Sequence, residues 1–334
     1  MVVHNRVTAG DAPDARDVLI QAEAVSGALA RLGHETTISS CGLDLEEIRN
    51  TLDKVRPELV FNLVEDLDGY GRLIHLFPCV LDALGIAYTG SPAEAVFLSS
   101  HKTLAKERMR CAGLPTATWV GPSSPAGTLP PVETWADKWI IKSLWEHASV
   151  GLDAGSVVTA ASAEDLAAQM RMRCARLGGA CFAEEFIDGR EFNLSILAGE
   201  NGPEVLPPAE IIFAGYEPDM VRIVDYQAKW EEDSHAYHHT PRSFDFAADD
   251  LELLDQLQDI ARRCWEFFGL AGYARVDFRV DSGGNPYILE VNANPCLSPD
   301  AGFAAAVFRA GLDFDLAVAR IVADAERNFL RLEN

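Results

Sequence analysis

The stretch from Arg275 to Pro295, RVDFRVDSGGNPYILEVNANP, leaves few folding options. Two strand-forming runs flank Asp281-Ser282-Gly283-Gly284-Asn285-Pro286, where glycine and asparagine reach positive φ cheaply. The segment therefore predicts two strands joined by a tight turn. Side chains alternate faces along a strand. Val276, Phe278 and Val280 share one face of the first strand, and Leu289 and Val291 one face of the second, so these are predicted core. The opposite faces carry Arg275 and Asp277, then Glu290 and Asn292. If the strands pair, two carboxylates and a carboxamide oxygen converge beside a guanidinium. Hard oxygen donors of this kind suit Mg²⁺, which keeps waters and bridges protein carboxylates to substrate phosphates. A solvated, salt-bridged hairpin is the other reading that the spacing permits.

At 334 residues, 48% of them hydrophobic, the chain is long enough for more than one core. Its net charge of −23 argues against a nucleic-acid partner, which would need a basic face. ATP is not excluded, since it needs only a few local cations and Mg²⁺. The seven cysteines are scattered with no C-x-x-C pair, which reads as reduced thiols in a cytoplasmic protein. No apolar run is long enough to span a membrane, and the N-terminus lacks the apolar core of a signal peptide.

The first ninety residues alternate strand and helix. Val2 to Asn5 is a short, weak strand. Val18, Ala22, Val25, Leu29 and Leu32 follow a helical period that stops at Gly33. Thr36-Thr37-Ile38 reads as a strand and Leu45 to Val55 as a helix. Leu59 to Val64 is a nearly continuous apolar run, as in a buried parallel strand, and Pro78 to Leu84 is a further helix. Such alternation implies a parallel sheet covered by helices. Loops at the carboxyl ends of its strands form the usual ligand side, so Glu65 to Tyr70, acidic and glycine-bearing, is a candidate substrate loop, with a solvated turn as the other reading.

Further on, Ser99-Ser100-His101-Lys102 opens a basic helix, and Gly121 to Pro131 has the composition of a surface loop. Trp139-Ile140-Ile141-Lys142 is a strand ending on a lysine, followed by the pliable segment Ser143 to Gly151. That order can place an ammonium and several backbone N–H groups on a polyphosphate. Ser156 to Ala160 reads as a return strand, and Ser162 with Asp165 as a capping box for a helix to about Leu177. Asn193 to Ala198 and Val205 to Ile212 read as strands. Leu251, Leu254, Leu257, Ala261, Cys264 and Phe268 mark the clearest amphipathic helix, Asp249 to Phe268. Gly302 to Ala310 and Phe314 to Phe329 are the last helices. His235, His238 and His239 lack an acidic or cysteine partner at metal-site spacing, so a mobile lid or substrate loop is preferred there over zinc.

Arg275-Val276-Asp277, with Leu289-Glu290-Val291-Asn292-Ala293-Asn294-Pro295, closely resembles the metal-binding signature of the D-alanine–D-alanine ligases, which are ATP-grasp carboxylate–amine ligases. Gly85 to Ser91 resembles the G-x-x-Y-T-G-S stretch that closes their N-terminal domain. Lys142 with the segment after it resembles their phosphate flap, Cys181 to Phe192 their hinge, and Tyr226 to Trp230 their lysine-bearing stretch over the phosphates. The resemblance implies an α/β chain, α+β in the ATP-grasp part, of three domains. These are an N-terminal parallel-sheet domain (1–90) and two lobes enclosing ATP (91–183 and 184–334).

It also implies site residues. Lys102, Lys142, Ser149 and Lys229 would contact phosphates, Glu184, Glu185, Phe186 and Ile187 the adenine, and Glu191 the ribose. Asp277, Glu290 and Asn292 would hold Mg²⁺, with Mn²⁺ as an alternative. Arg275 and Lys229 would be catalytic, and Glu65, Glu146, Arg275, Cys296 and Asp300 would touch substrate. Cys296 is read as no nucleophile. The substrates would be a small carboxylate and a small amine, amino acids or short peptides, and a homodimer stays open because relatives often form one.

Some positions depart from the family. Its serine and tyrosine near the first D-alanine fall at Ala148 and Trp230. Its N-terminal glutamate is not recognisable, Asp14 and Asp17 being the nearest acids, and Pro299-Asp300-Ala301 replaces a substrate serine. The expectation is an ATP-dependent ligase of amino acids other than two D-alanines. A true D-alanine–D-alanine ligase and a non-catalytic nucleotide-binding regulator are the rivals.

Overall fold

The computed structural model describes residues 1–121, 135–146, 148–217 and 219–332; His147 and most of the expected surface loop Gly121 to Pro131 lie outside the described residues. Among the described residues the strands form three sheets.

The first is parallel, with strands β1 (Val2–Asn5), β2 (Ile38–Cys41), β3 (Leu59–Leu63) and β4 (Ala87–Tyr88) in the order β2-β1-β3-β4. Helices α1 (Pro13–Arg31), α2 (Leu45–Val55) and α3 (Leu76–Leu84) alternate with these strands. The weak-looking Val2 to Asn5 is an inner strand, buried at every residue. Its neighbours on both sides supply the pairing that four residues cannot supply alone. The strand expected at Thr36 begins two residues later, at Ile38. Leu32, expected to continue the apolar stripe of α1, is 39% exposed, because the helix ends at Arg31.

Helices α4 (Ala93–Ser100) and α5 (Lys102–Cys111) lead to an antiparallel sheet ordered β5-β8-β6-β7. It contains β5 (Trp119–Val120), β6 (Trp139–Ser143), β7 (Val157–Val158) and β8 (Cys181–Glu185), with α6 (Ala163–Arg173) preceding β8. The Ser162 side chain caps α6 by accepting the Asp165 N–H at 3.2 Å. The expected return strand shrinks to Val157–Val158, because Ala154–Ser156 turn as a 3₁₀ helix.

The third sheet runs β12-β11-β9-β13-β14, with β10 also paired to β9. Its strands are β9 (Arg190–Gly199), β10 (Gly202–Val205), β11 (Ala209–Ile211), β12 (Arg242–Ser243), β13 (Tyr273–Val280) and β14 (Pro286–Asn292). The single strand expected from Val205 to Ile212 is two strands, separated at Pro207-Pro208, which can donate no backbone bond. Between β11 and β12 come α7 (Tyr226–Trp230) and α8 (His235–His238). Helix α9 (Leu251–Phe268) covers one face of this sheet, burying Leu254, Leu257, Ala261, Cys264 and Phe268. The chain closes with α10 (Gly302–Arg309) and α11 (Phe314–Leu332).

One apolar core joins the ends of the chain. Val18, Ala22 and Val25 of α1 pack with Phe303 of α10 and Val318 and Ile321 of α11. Arg31 pairs with Asp315 at 2.7 Å at its edge. The parallel sheet is thereby set against the third sheet, and its β3 loop hangs over the β13–β14 hairpin.

Candidate active site

The hairpin forms as its turn chemistry requires. Asp281 Oδ1 accepts the N–H groups of Gly283 (2.8 Å) and Asn285 (2.9 Å), and Gly284 takes a φ of 80°. Val276, Phe278 and Val280 are buried as expected. The pairing of Leu289 with Val291 is not. Asp277 faces Glu290 while Phe278 faces Ile288, so β14 carries one extra residue at Leu289. That bulge sends Ile288 into the core beside Val291 and turns Leu289 onto the wall of a cavity.

Two cavities meet on the hairpin's polar face. The first lies between β6/β8 and β13/β14; Lys102, Lys142, Glu146, Ser149, Glu184, Glu185, Phe186, Ile187, Glu191, Lys229, Asp277 and Glu290 line it. The second reaches the β3 loop and the α10 end; Asp17, Glu65, Asn193, Trp230, Arg242, Arg275, Asn292, Cys296 and Asp300 line it. Glu191, Lys229, Asp277 and Glu290 border both. The two carboxylates of the hairpin thus stand at the junction. Glu146, grouped with the substrate contacts in the sequence, is on the wall of the first cavity.

At that junction Arg275 grips Asp277 through two bonds, 2.8 and 2.9 Å, and Asn193 Nδ2 adds a third at 2.9 Å. Burial pulls the Arg275 pKa down, but the Asp277 charge and bonds outweigh it and hold it above its ordinary value. Lys102 Nζ lies 3.6 Å from Glu290 and donates to the Glu146 carbonyl at 2.8 Å. Lys229 is half-buried. Burial and the Arg275 charge lower its pKa against the pull of Asp277, Glu290 and Glu191.

In the first cavity Glu184 sits between two ammoniums, Lys106 and Lys142, each at 2.5 Å. Burial would raise its pKa, yet the two cations win and keep it below its ordinary value. Lys106 had passed in the sequence as one more charge on a basic helix; only the fold shows it to be 1% exposed. Arg279 was also missed, although plain alternation from Arg275 and Asp277 reaches it. It pairs with Glu191 at 3.0 Å, beneath the rings of Phe186 and Phe213. Asn193 is the cross-strand neighbour of Asp277, which no local pattern reveals.

The flap after Lys142 bends over the junction. Ala148 and Ser149 adopt φ of 57° and 61°, a left-handed pair costly for residues with side chains. Gly151 follows at φ 70°, where a Cβ would lie 2.3 Å from the Arg176 carbonyl. Ser149 Oγ donates to the Val224 carbonyl at 2.9 Å and Trp230 Nε1 to the Ala148 carbonyl at 3.2 Å, fastening flap to α7.

The second cavity has an acidic end. Asp17 accepts from Cys296 Sγ (3.0 Å) and Ser298 Oγ (2.8 Å), and Glu65 from Gln21 Nε2 (2.8 Å). Burial, opposed by that bond and reinforced by nearby Asp17, pushes the Glu65 pKa up to about 7. Burial beside Glu65 and Asp17 likewise holds the Cys296 thiol well above its ordinary value, so it stays protonated. Asp14, the other N-terminal acid, accepts from Tyr226 at 2.8 Å. The histidines outside the cavities make a different structure: the His235 and His239 rings stack 3.7 Å apart.

A family model described as "D-ala D-ala ligase C-terminus" matches residues 131–323. The D-alanine–D-alanine ligase of Methylococcus capsulatus is 31% identical over 283 residues, covering 83% of this chain and 84% of that one. The chain belongs to the D-alanine–D-alanine ligase family. It is an ATP-dependent carbon–nitrogen ligase of the ATP-grasp type. The family's enzyme from Chromohalobacter salexigens is 30% identical over 81% of this chain and 78% of its own. An uncharacterised relative, y4sG of Sinorhizobium fredii, is 29% identical over 92% and 88%. The fold matches that of the Bacillus anthracis D-alanine–D-alanine ligase solved with ATP, with a TM-score of 0.74 at 17% identity over 99% of this chain and 98% of that one. In this chain Trp230 and Ala148 join flap and α7 through an indole N–H and a backbone carbonyl.

Proposed function

We propose that this protein uses ATP and Mg²⁺ to join an amino-acid carboxylate to an amine through an acyl phosphate, on substrates other than two D-alanines. The observation that carries the reading is the junction: Asp277 and Glu290 border both cavities. A nucleotide lying along the first would end its phosphates where a carboxylate in the second begins.

Phosphoryl transfer needs positioning and charge neutralisation more than covalent help. Lys102, Lys142 and Lys229 supply cations on the nucleotide side. Asp277, Glu290 and Asn292 form a hard-oxygen set that fits Mg²⁺, and they would hold it; when bound, the ion would neutralise phosphate charge. In the first step a carboxylate oxygen attacks the γ-phosphorus and ADP leaves. In the second the amine attacks the acyl carbon, loses a proton, and phosphate departs. Arg275 and the Cys296 N–H would stabilise the oxyanion between those events. Substrates other than two D-alanines are favoured by the changed second cavity, with Ala148 and Trp230 where the resemblance places the family's serine and tyrosine and no clear match for its second-substrate serine in Pro299-Asp300-Ala301, while the nucleotide side keeps its lysines and acids.

The test is phosphate release from ATP with a panel of D- and L-amino acids, followed by product mass spectrometry. Release that depends on substrate, with a product weighing acid plus amine less water, is expected. Tight nucleotide binding with no substrate-dependent release would favour a regulator, and a product made only from D-alanine would restore the narrower family activity.

A further inference from the structure

Helices α4 and α5 meet at a single residue. His101 ends the first, its N–H donating to the Phe97 carbonyl at 3.3 Å, and opens the second, where its Nδ1 accepts the Leu104 N–H at 3.2 Å. The Thr103 hydroxyl lies 3.4 Å from the same nitrogen. A backbone N–H can only donate, so Nδ1 must offer a lone pair and the ring must be neutral. Histidine is not among the usual cap residues, which are serine, threonine, aspartate and asparagine. None of those changes charge near neutral pH.

The same corner holds the phosphate side of the first cavity. Lys102, the next residue, donates its backbone N–H to the Leu144 carbonyl at 3.2 Å and its ammonium to the Glu146 carbonyl at 2.8 Å, both at the start of the flap. Between them Trp145 meets the His101 ring edge-on, 4.4 Å away, with Phe97 of α4 6.0 Å from the indole. Burial lowers the His101 pKa, outweighing a hydrogen bond to its own backbone. Among the described residues Lys102 is the charge that acts on the ring, and it lowers the pKa further. The Glu146 carboxylate rests between Gly71 and Gly178, and His75 lies beyond Phe97, meeting that ring at 5.0 Å. A proton on His101 would cancel the cap and set a cation beside Lys102 at the positive end of a helix. Trp145 attracts a cation, but by about the cost of one of these losses.

We propose that His101 is a positioning residue that must be neutral to hold Lys102 and the flap ready for nucleotide, so that ATP affinity falls as His101 takes up a proton. This rests on the ligase reading above, which takes the first cavity as the nucleotide site. Protonation leaves the Leu104 N–H without its acceptor and loosens the first turn of α5, which carries Lys102. Part of the binding free energy is then spent on restoring that turn, and the apparent affinity drops accordingly.

The experiment compares wild type, His101→Asn and His101→Ala. Binding of ATP with Mg²⁺, with no amino acid present, is measured by calorimetry from about pH 8 to about pH 5, the range over which histidine titrates. Asparagine keeps an acceptor at the cap and does not titrate. Across this range wild-type affinity should fall about fivefold further than that of His101→Asn, the scale of a lost helix cap. Protonation of ATP itself affects both proteins alike and drops out of the comparison. His101→Ala, with no acceptor, should bind more weakly than wild type at the alkaline end and lack the additional pH dependence. A purely structural role would not produce that difference in profile. Parallel profiles for wild type and His101→Asn, or a His101→Ala that matches wild type at the alkaline end, overturn the proposal while leaving the ligase reading standing. A wild type that binds no ATP at any pH sinks the ligase reading first and this inference with it.

Discussion

Trp230 donates its indole N–H to the carbonyl oxygen of Ala148 across 3.2 Å, tying α7 to the flap that follows Lys142. The bond matters because the residues it joins are strained: Ala148 and Ser149 sit side by side in left-handed conformation and need outside contacts to stay there. Ser149 supplies the second tie, to Val224. Together they roof the place where an acyl phosphate would have to be kept from water.

Trp230→Phe keeps an aromatic ring and deletes the donor. A bond of this kind contributes about 1 kcal/mol net, so the closed flap should lose roughly fivefold in population. Phosphate released per product formed should rise, because the intermediate meets water more often. Quantifying both from one reaction checks this; an unchanged ratio counts against the roof.

Glu184 is the only counter-charge within ion-pair reach of both Lys106 and Lys142 among the described residues. Glu184→Gln leaves the buried Lys106 ammonium unpaired, which should cost about 3 kcal/mol or more. Guanidinium unfolding of variant and wild type reads the difference directly, and a midpoint shift near zero would show that Lys106 gives up its proton instead.

Asp277→Asn removes a charge with almost no change of shape. Turnover that responds to added Mg²⁺ should vanish while far-UV circular dichroism stays that of the wild type. Retained Mg²⁺-dependent activity would remove Asp277 from the proposed metal set.

Arg275→Ala deletes the donor proposed for the oxyanion. Turnover should fall by about 100- to 1,000-fold. The KM for ATP should change far less, because Arg275 lines the second cavity and not the first. A loss confined to KM for ATP would contradict that placement.

Glu65 gives stability a pH dependence of definite sign. Its folded pKa, about 7, lies above the ordinary value of 4.5, so the folded state binds the proton more tightly than the unfolded one. Its contribution is full below pH 4.5 and is lost as the pH rises to 7, by at most about 3 kcal/mol. Glu65→Gln should flatten that slope and make the protein more stable than wild type above pH 7. Thermal melts across this range decide it, and parallel curves for the two proteins would show that Glu65 titrates normally.

The hairpin and the apolar stripes were legible because their cause is local. Turn residues set the reversal at Asp281 to Asn285, and a period of 3.6 marks α9 whatever surrounds it. Leu289 was misread for an equally local reason: counting by two presumes an unbroken ladder, and one bulged residue reverses the faces beyond it. The short ends of strands failed differently. Val2 to Asn5 is a strand because two others pair with it, and Val205 to Ile212 is broken where prolines interrupt the pairing.

Charge partners were out of reach. Lys106, Asn193 and Arg242 are ordinary polar residues in sequence, and nothing near them in the chain marks them out; Arg279 lay within reach of simple alternation, but its partner Glu191 did not. The residues Arg275, Asp277, Glu290 and Asn292, and the alternation of strand and helix before them, follow from the chain alone, since neighbouring residues impose them. Which carboxylate each cation meets, and that two cavities share one acidic wall, depends on segments 84 to 230 positions apart, such as Asn193 with Asp277 and Val64 with Asn294. Burial then sets how strongly those charges act, because a low-dielectric interior penalises every one left without a partner. Only the packed fold decides burial.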